Sequence, residues 1–239
     1  ACALRDREGI GAIFALNGAV DAQAPLRAGG FEGVATDSAK AFATLQSMIE
    51  SRNPDLLICD MRDGISGSEL ATLSESVSLT AVIDDATDRR LAADIAYYPP
   101  VPQAGDLDWS GSHCAPRTGW EFALLGLSKL KPVQRVGSPR PTLLVAMGGS
   151  DPFGLTLVAA RALSQLDPVF RARFVIGPGV KDKARIASAI VAMAPNFETL
   201  EGADDLATEY ASADLALAAF GVTAYELGAY GVPALYLCL

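Results

Sequence analysis

Thr142-Leu143-Leu144-Val145-Ala146-Met147-Gly148-Gly149-Ser150-Asp151 is the stretch that decides the fold. An apolar run ends in a glycine pair and a polar turn, which reads as a buried strand, a tight loop and the start of a helix. The same order recurs about seventy residues later, where Asp214-Leu215-Ala216-Leu217-Ala218 is strand-like and Gly221-Val222-Thr223-Ala224-Tyr225-Glu226 follows it. Such junctions present backbone N–H groups at a helix N-terminus, where they meet phosphate. One junction is weak evidence, because Gly148-Gly149 alone is equally a tight βα turn. Two in the same α/β half could hold a diphosphate from both sides, so a nucleoside diphosphate is the ligand to expect.

Working outward, the second half alternates strand and helix. Strands are expected at 142–147, 173–176, 197–200, 214–218 and 233–238, with helices at about 154–165, 181–193, 204–211 and from about 223. In the first half Ile10 to Leu16 is a short apolar run, and Ala39 to Ser51 has helical spacing through Phe42, Leu45, Met48 and Ile49. Asp55 to Cys59 is a second apolar run ending at Asp60, Leu70 to Ser76 reads as helix, and Leu79 to Ile83 is a strand ending at Asp84-Asp85. This βα alternation implies a mostly parallel sheet. Between Tyr97 and Pro116 the prolines and glycines read as surface loop. Lys131 to Pro141 reads as a linker and places a boundary near residue 135, giving an N-terminal Rossmann-like domain over 1–135 and a C-terminal one over 136–239. The expected fold is α/β, two Rossmann-like domains facing a cleft, with ligand beyond the carboxyl ends of the strands.

Composition narrows the function classes. The 239 residues are half hydrophobic and 20% charged, a globular balance. A net charge of −9 argues against a nucleic-acid groove or an anionic-membrane patch, which need clustered lysine and arginine. No stretch approaches the ~20 apolar residues of a membrane span. Cys2, Cys59, Cys114 and Cys238 have no close pairing, so neither a zinc ribbon nor a CxxC site is indicated, and buried thiols in a cytosolic protein are the plain reading. No metal or cofactor is called for, and oligomeric state is not legible. The opening Ala1-Cys2-Ala3-Leu4 reads like the end of a helix and Val232 to Leu239 like a strand awaiting its cover, so further sequence is expected on both sides.

The segments Leu144 to Pro152, Ala213 to Ala216, Gly221 to Leu227 and Gly231 to Ala234 resemble the UDP-sugar hydrolases of pseudaminic acid biosynthesis. Those are similar in turn to the peptidoglycan N-acetylglucosaminyltransferase, and both have the two-domain GT-B fold. Ile83 to Arg90 and Trp120 to Leu125 resemble segments of the hydrolase and its spore-coat polysaccharide relatives. The resemblance implies that Glu226 accepts from the ribose hydroxyls, that Gly221, Val222 and Thr223 approach the diphosphate, and that Gly148, Gly149 and Ser150 face it from the other side. It implies further that uracil lies against Ile176-Gly177 and the segment Ala203 to Leu206. A carboxylate suits the ribose because it offers acceptors to two adjacent donors. Glu226 also has a simpler reading, as a first-turn residue favoured by the helix dipole.

The family's Gly-x-Gly-His-x-x-Arg loop, which carries its leading catalytic histidine, would fall before Ala1. Asp60, Asp84 and Asp85, at strand ends, are the remaining candidates for a catalytic base, although aspartates there also cap helices. His113, the sole histidine, sits in the proline-rich stretch and reads as a surface residue. The leading functional reading is a nucleotide-sugar hydrolase acting on a UDP-sugar. The alternatives are an inverting sugar transferase using the same donor and a non-catalytic nucleotide-sugar-binding module.

Overall fold

A computed structural model of the protein describes residues 6, 9–17, 23–125, 139–201 and 206–238 and divides the chain into two compact units, Ala1–Leu124 and Leu125–Leu239. The expected boundary near residue 135 lies outside the described residues, as does most of the expected linker.

In the first unit β1 (Ile13–Asn17) pairs in parallel with β2 (Glu32–Thr36). A separate parallel sheet runs β3 (Leu56–Cys59), β4 (Leu79–Ile83), β5 (Ile95–Tyr98) and β6 (Ala115–Thr118), in that order. The helix Ala41–Arg52 buries Ala41, Leu45 and Ile49, four residues apart, so one stripe faces the core. It stops at Asn53, whose left-handed φ of 44° turns the chain while its N–H bonds back to Ile49 O. Helix and sheet share a core with Leu70, Leu73, Val82 and Ala96.

The stretch from Tyr97 to Pro116, expected as surface loop, instead contributes the second half of β5 and the first half of β6. Pro116 is tolerated because β6 is the last strand of its sheet, where a missing N–H costs no ladder bond on the open side. What lies between the two strands is pinned by Arg90, which is buried, donates from Nη2 to Asp108 O at 2.6 Å and sits over the Trp109 ring. β2 was also not expected, since Glu-Gly-Val-Ala-Thr has almost no apolar signal.

The second unit follows the expected alternation closely. Its strands are β7 (Thr142–Ala146), β8 (Arg171–Ile176), β9 (Phe197–Glu201), β10 (Leu215–Ala219) and β11 (Ala234–Leu237), all parallel and ordered β9-β8-β7-β10-β11. Alternation along β7 sends Leu144 to one face and Val145 to the other. Val145 packs with Ala159, Ala160, Phe174 and Ile190 under the helices Leu155–Leu163 and Lys183–Met193. Leu144 packs with Tyr210, Ala218 and Leu227 under the helices Ala207–Ser212 and Val222–Ala229. Each fully buried Leu or Phe here contributes roughly 1.5–3 kcal/mol. No helix among the described residues is long and apolar enough to cross a membrane.

Candidate functional site

The strand order of the second unit picks out a candidate position for a site. The chain winds from β7 outward through β8 to β9, then returns to lay β10 on the other side of β7. The order therefore reverses between β7 and β10, and open α/β sheets bind ligand at the carboxyl ends of the strands at such a reversal. Ala218 is in register with Ala146, so Gly148-Gly149-Ser150 and Gly221-Val222-Thr223 leave adjacent strands at the same edge of the sheet. The two glycine junctions singled out in the sequence are thus brought together.

Their local geometries differ. Gly148 has a left-handed φ of 84°, and a side chain added at Gly148 or Gly149 would meet nothing within 4 Å, so the loop faces open space. Gly177, after β8, packs under that loop: a Cβ there would lie 2.6 Å from Gly148 O and closer still to Gly149 O. Gly179 N–H donates to Gly149 O at 2.8 Å. Gly177 therefore supports the loop by close backbone packing, a job only glycine can do. Ile176 turns its side chain into a small cluster with Val180 and Ala187, leaving main chain at the strand end. Leu206 begins the Ala207–Ser212 helix and packs against the Leu144 face, whereas Ala203 lies outside the described residues.

The helix after the first junction does not present a free N-terminus. Asp151, at φ 40°, accepts from Leu155 N at 2.7 Å with Oδ1 and from Thr156 N at 2.9 Å with Oδ2. Its carboxylate occupies the first-turn donors that a phosphate would need. The helix Val222–Ala229 is different. Gly221 precedes it and offers no side-chain acceptor; Ala224 N–H donates to Gly221 O at 2.9 Å, and the Val222 and Thr223 N–H groups lie with the positive dipole end at the sheet edge. The second junction, unlike the first, thus has no side-chain cap, and the Gly148-Gly149-Ser150 loop lies beside it.

Glu226 lies one turn along this helix, on the same face as Thr223. Tyr210 donates its hydroxyl to Glu226 Oε2 at 2.7 Å, and Thr223 faces the same phenol. Burial and the neighbouring Glu226 carboxylate push the Tyr210 hydroxyl far up, so it stays protonated. Nothing in the sequence singled out Tyr210, because a tyrosine in a short helix carries no spacing signal. At the lip of the loop Phe220 is exposed and stacks edge-on against Tyr225 and Tyr236, 6.1 and 5.9 Å away.

In the first unit the three aspartate candidates separate. Asp85 is buried, accepting from Thr87 N at 2.8 Å and Thr87 Oγ1 at 2.6 Å with one oxygen and from Arg89 Nε at 2.6 Å with the other. Arg89 in turn donates to Ile65 O and Met61 O. Burial pushes the Asp85 carboxyl up, but these hydrogen bonds outweigh it and hold it below the usual range. Asp85 is therefore a structural clasp, with both oxygens engaged. Asp60 and Asp84 are exposed at the carboxyl ends of β3 and β4. Asp84 holds a left-handed φ of 50°, and Asn53, Asp151 and Asp182 are left-handed as well. Partial burial pushes its carboxyl up, Arg62 opposes this, and Asp60 and Asp85 add to it. His113 is exposed and bonds Asp94 Oδ1 at 3.2 Å.

No protein-family model and no curated protein matches the sequence. Solved structures do. Acinetobacter baumannii MurG matches with a TM-score of 0.63 at 17% identity, over 99% of this chain and 71% of that one. A glycosyltransferase from Rickettsia africae matches with a TM-score of 0.58 at 13% identity, over 99% of this chain and 73% of that one. The S. aureus MnaA–UDP co-structure matches with a TM-score of 0.58 at 14% identity, over 94% of this chain and 78% of that one. The fold is GT-B. At these identities the likeness speaks to GT-B architecture alone, and the chemistry rests on the residues.

Proposed function

We propose that the chain is a GT-B glycosyltransferase that uses a UDP-sugar, with its second unit holding the nucleotide. One observation carries this reading: the strand-order reversal between β7 and β10 sets the open Gly148-Gly149 loop beside the uncapped N-terminus of Val222–Ala229, with Glu226 one turn further on. In this reading the Val222 and Thr223 amides and the Gly148 to Ser150 loop hold the diphosphate, and Glu226 takes the ribose. Ile176, Gly177 and Leu206 border the uracil through main chain. MnaA, one of the structural neighbours, was solved with UDP, and another neighbour is described as a glycosyltransferase. The hydrolytic reading drawn from the resemblance has no counterpart among the three neighbours named above, and transfer to an acceptor fits them better.

Transfer would run as follows. An acceptor hydroxyl attacks the anomeric carbon, a carboxylate base takes the hydroxyl proton, and the bond to the β-phosphate oxygen breaks. The amides at the helix end stabilise the charge that develops on the departing UDP. Asp84 and Asp60 are the candidates for the base; a carboxyl pushed upward by partial burial, as in Asp84, is nearer the operating pH that general base catalysis favours. The test is to incubate the chain with UDP-N-acetylglucosamine and UDP-glucose, with and without a panel of sugar acceptors. UDP release that depends on acceptor supports transfer. Prompt release of free sugar without acceptor would point back to hydrolysis.

A further inference from the structure

The contact that the proposed reading leaves unused is the one between Tyr210 and Glu226. A glutamate on an exposed helix face samples several rotamers, and an acceptor for two vicinal hydroxyls must hold one of them. Tyr210 is built to select it. Its ring is 3% exposed, packed in the cluster of Leu144, Ala218, Leu227 and Val232, with the Tyr230 ring 5.6 Å away. The preceding residue, Glu209, pairs with Arg173 on β8, so the short helix Ala207–Ser212 is tied to the sheet immediately beside Tyr210. The tyrosine hydroxyl thus arrives at Glu226 Oε2 from a fixed direction, at 2.7 Å. Occupying Oε2 leaves the carboxylate's remaining acceptor positions to be aimed by the same bond.

We propose that Tyr210 is a positioning residue that orients Glu226 for the ribose 2′- and 3′-hydroxyls, and so makes the site selective for ribonucleoside over 2′-deoxyribonucleoside diphosphates. This rests on the nucleotide reading given above. The hydroxyl bonds the Glu226 carboxylate and faces the Thr223 side chain, while the diphosphate is held in this reading by main-chain amides, so its removal should change discrimination more than anchoring of the diphosphate.

The experiment is calorimetric titration of UDP and 2′-deoxy-UDP into the wild-type chain, Tyr210→Phe and Glu226→Gln, with a thermal melt of each apo protein. Tyr210→Phe keeps the ring that fills the cluster, so the fold is retained. Wild type should prefer UDP over 2′-deoxy-UDP by about tenfold, the ratio for one hydrogen bond to a charged group. In Tyr210→Phe and in Glu226→Gln that preference should fall to within about twofold, and in Glu226→Gln both ligands weaken because the 3′-hydroxyl contact is lost as well. If Tyr210→Phe keeps the full preference while Glu226→Gln loses it, the positioning role is overturned and the nucleotide reading stands. If Tyr210→Phe weakens both ligands equally with a large drop in melting temperature, Tyr210 is merely structural and the proposal is overturned. If wild type binds neither ligand, the nucleotide reading and this proposal fall together.

Discussion

Replacing Gly177 by alanine tests the loop architecture with a magnitude that the geometry sets. The added Cβ would lie 2.6 Å from Gly148 O and nearer still to Gly149 O. Carbon–oxygen contacts settle near ~3.3 Å or more, so the loop must retreat by at least ~0.7 Å at Gly148 O and further at Gly149 O, or the strand end must move. Retreat also strains the 2.8 Å bond from Gly179 N–H to Gly149 O. Overpacking costs about 1–3 kcal/mol, and at ~4–8 °C per kcal/mol for a unit of roughly a hundred residues the second unit's transition should fall by at least ~4 °C. Two comparators make the test graded. Gly179→Ala, whose Cβ would meet Gly149 O at 3.2 Å, should be milder. Gly149→Ala, with nothing within 4 Å, should leave the apo transition unchanged while weakening UDP, because the methyl enters the space proposed for the diphosphate. Scanning calorimetry with and without UDP reads all three. A Gly177→Ala protein that melts like wild type, or a Gly149→Ala protein that binds UDP undiminished, would refute the reasoning.

Asp151→Ala removes both acceptors from the first turn of Leu155–Leu163 and should destabilise the second unit by ~0.5–2 kcal/mol in a denaturant titration. Asp85→Ala strands the buried Arg89 guanidinium and should cost the first unit ~3–5 kcal/mol by the same measurement. Because the Asp85 carboxyl is held below its usual range, its stabilisation is present above the unfolded value of about 3.9 and is lost as pH falls through the lower folded value, so acid melts should show the wild-type first unit weakening there and Asp85→Asn lacking that step. A thiol reagent should label Cys238, which is exposed, well before Cys114, which is buried, and Cys59, whose burial pushes its thiol up to about 11; mass spectrometry of digests reads the order. Asp84→Asn should lower acceptor-dependent UDP release by ~10²–10⁴-fold with unchanged UDP affinity if Asp84 is the base.

Much of the second unit was legible because β7, β10 and β11 are short apolar runs and the helices Leu155–Leu163, Lys183–Met193 and Val222–Ala229 bury residues three or four apart. The first unit was less so. β2 has the composition of a turn, and β5 and β6 lie among prolines that only an edge position and the buried Arg90 make compatible with a sheet. At the site, Gly148, Gly149 and Glu226 could be read from junction pattern and resemblance. Three features could not. Asp151 capping its own helix depends on a left-handed backbone, Gly177 acts through a backbone contact across the sheet, and Tyr210 reaches Glu226 from another helix. Each is a tertiary relation that residue spacing does not encode. Asp85 reads as a base candidate for the same reason that it clasps Thr87 and Arg89: both roles place a carboxylate just after a strand.

The most direct test of the nucleotide site is calorimetric titration of UDP, with NAD as the comparison and Glu226→Gln as the control. The account predicts saturable one-to-one UDP binding, weaker or absent NAD binding, and a loss of ~1.5–3 kcal/mol, about ten- to hundredfold in affinity, in Glu226→Gln without a change in apo melting temperature. NAD binding as tightly as UDP, or Glu226→Gln binding UDP as well as wild type, would contradict it.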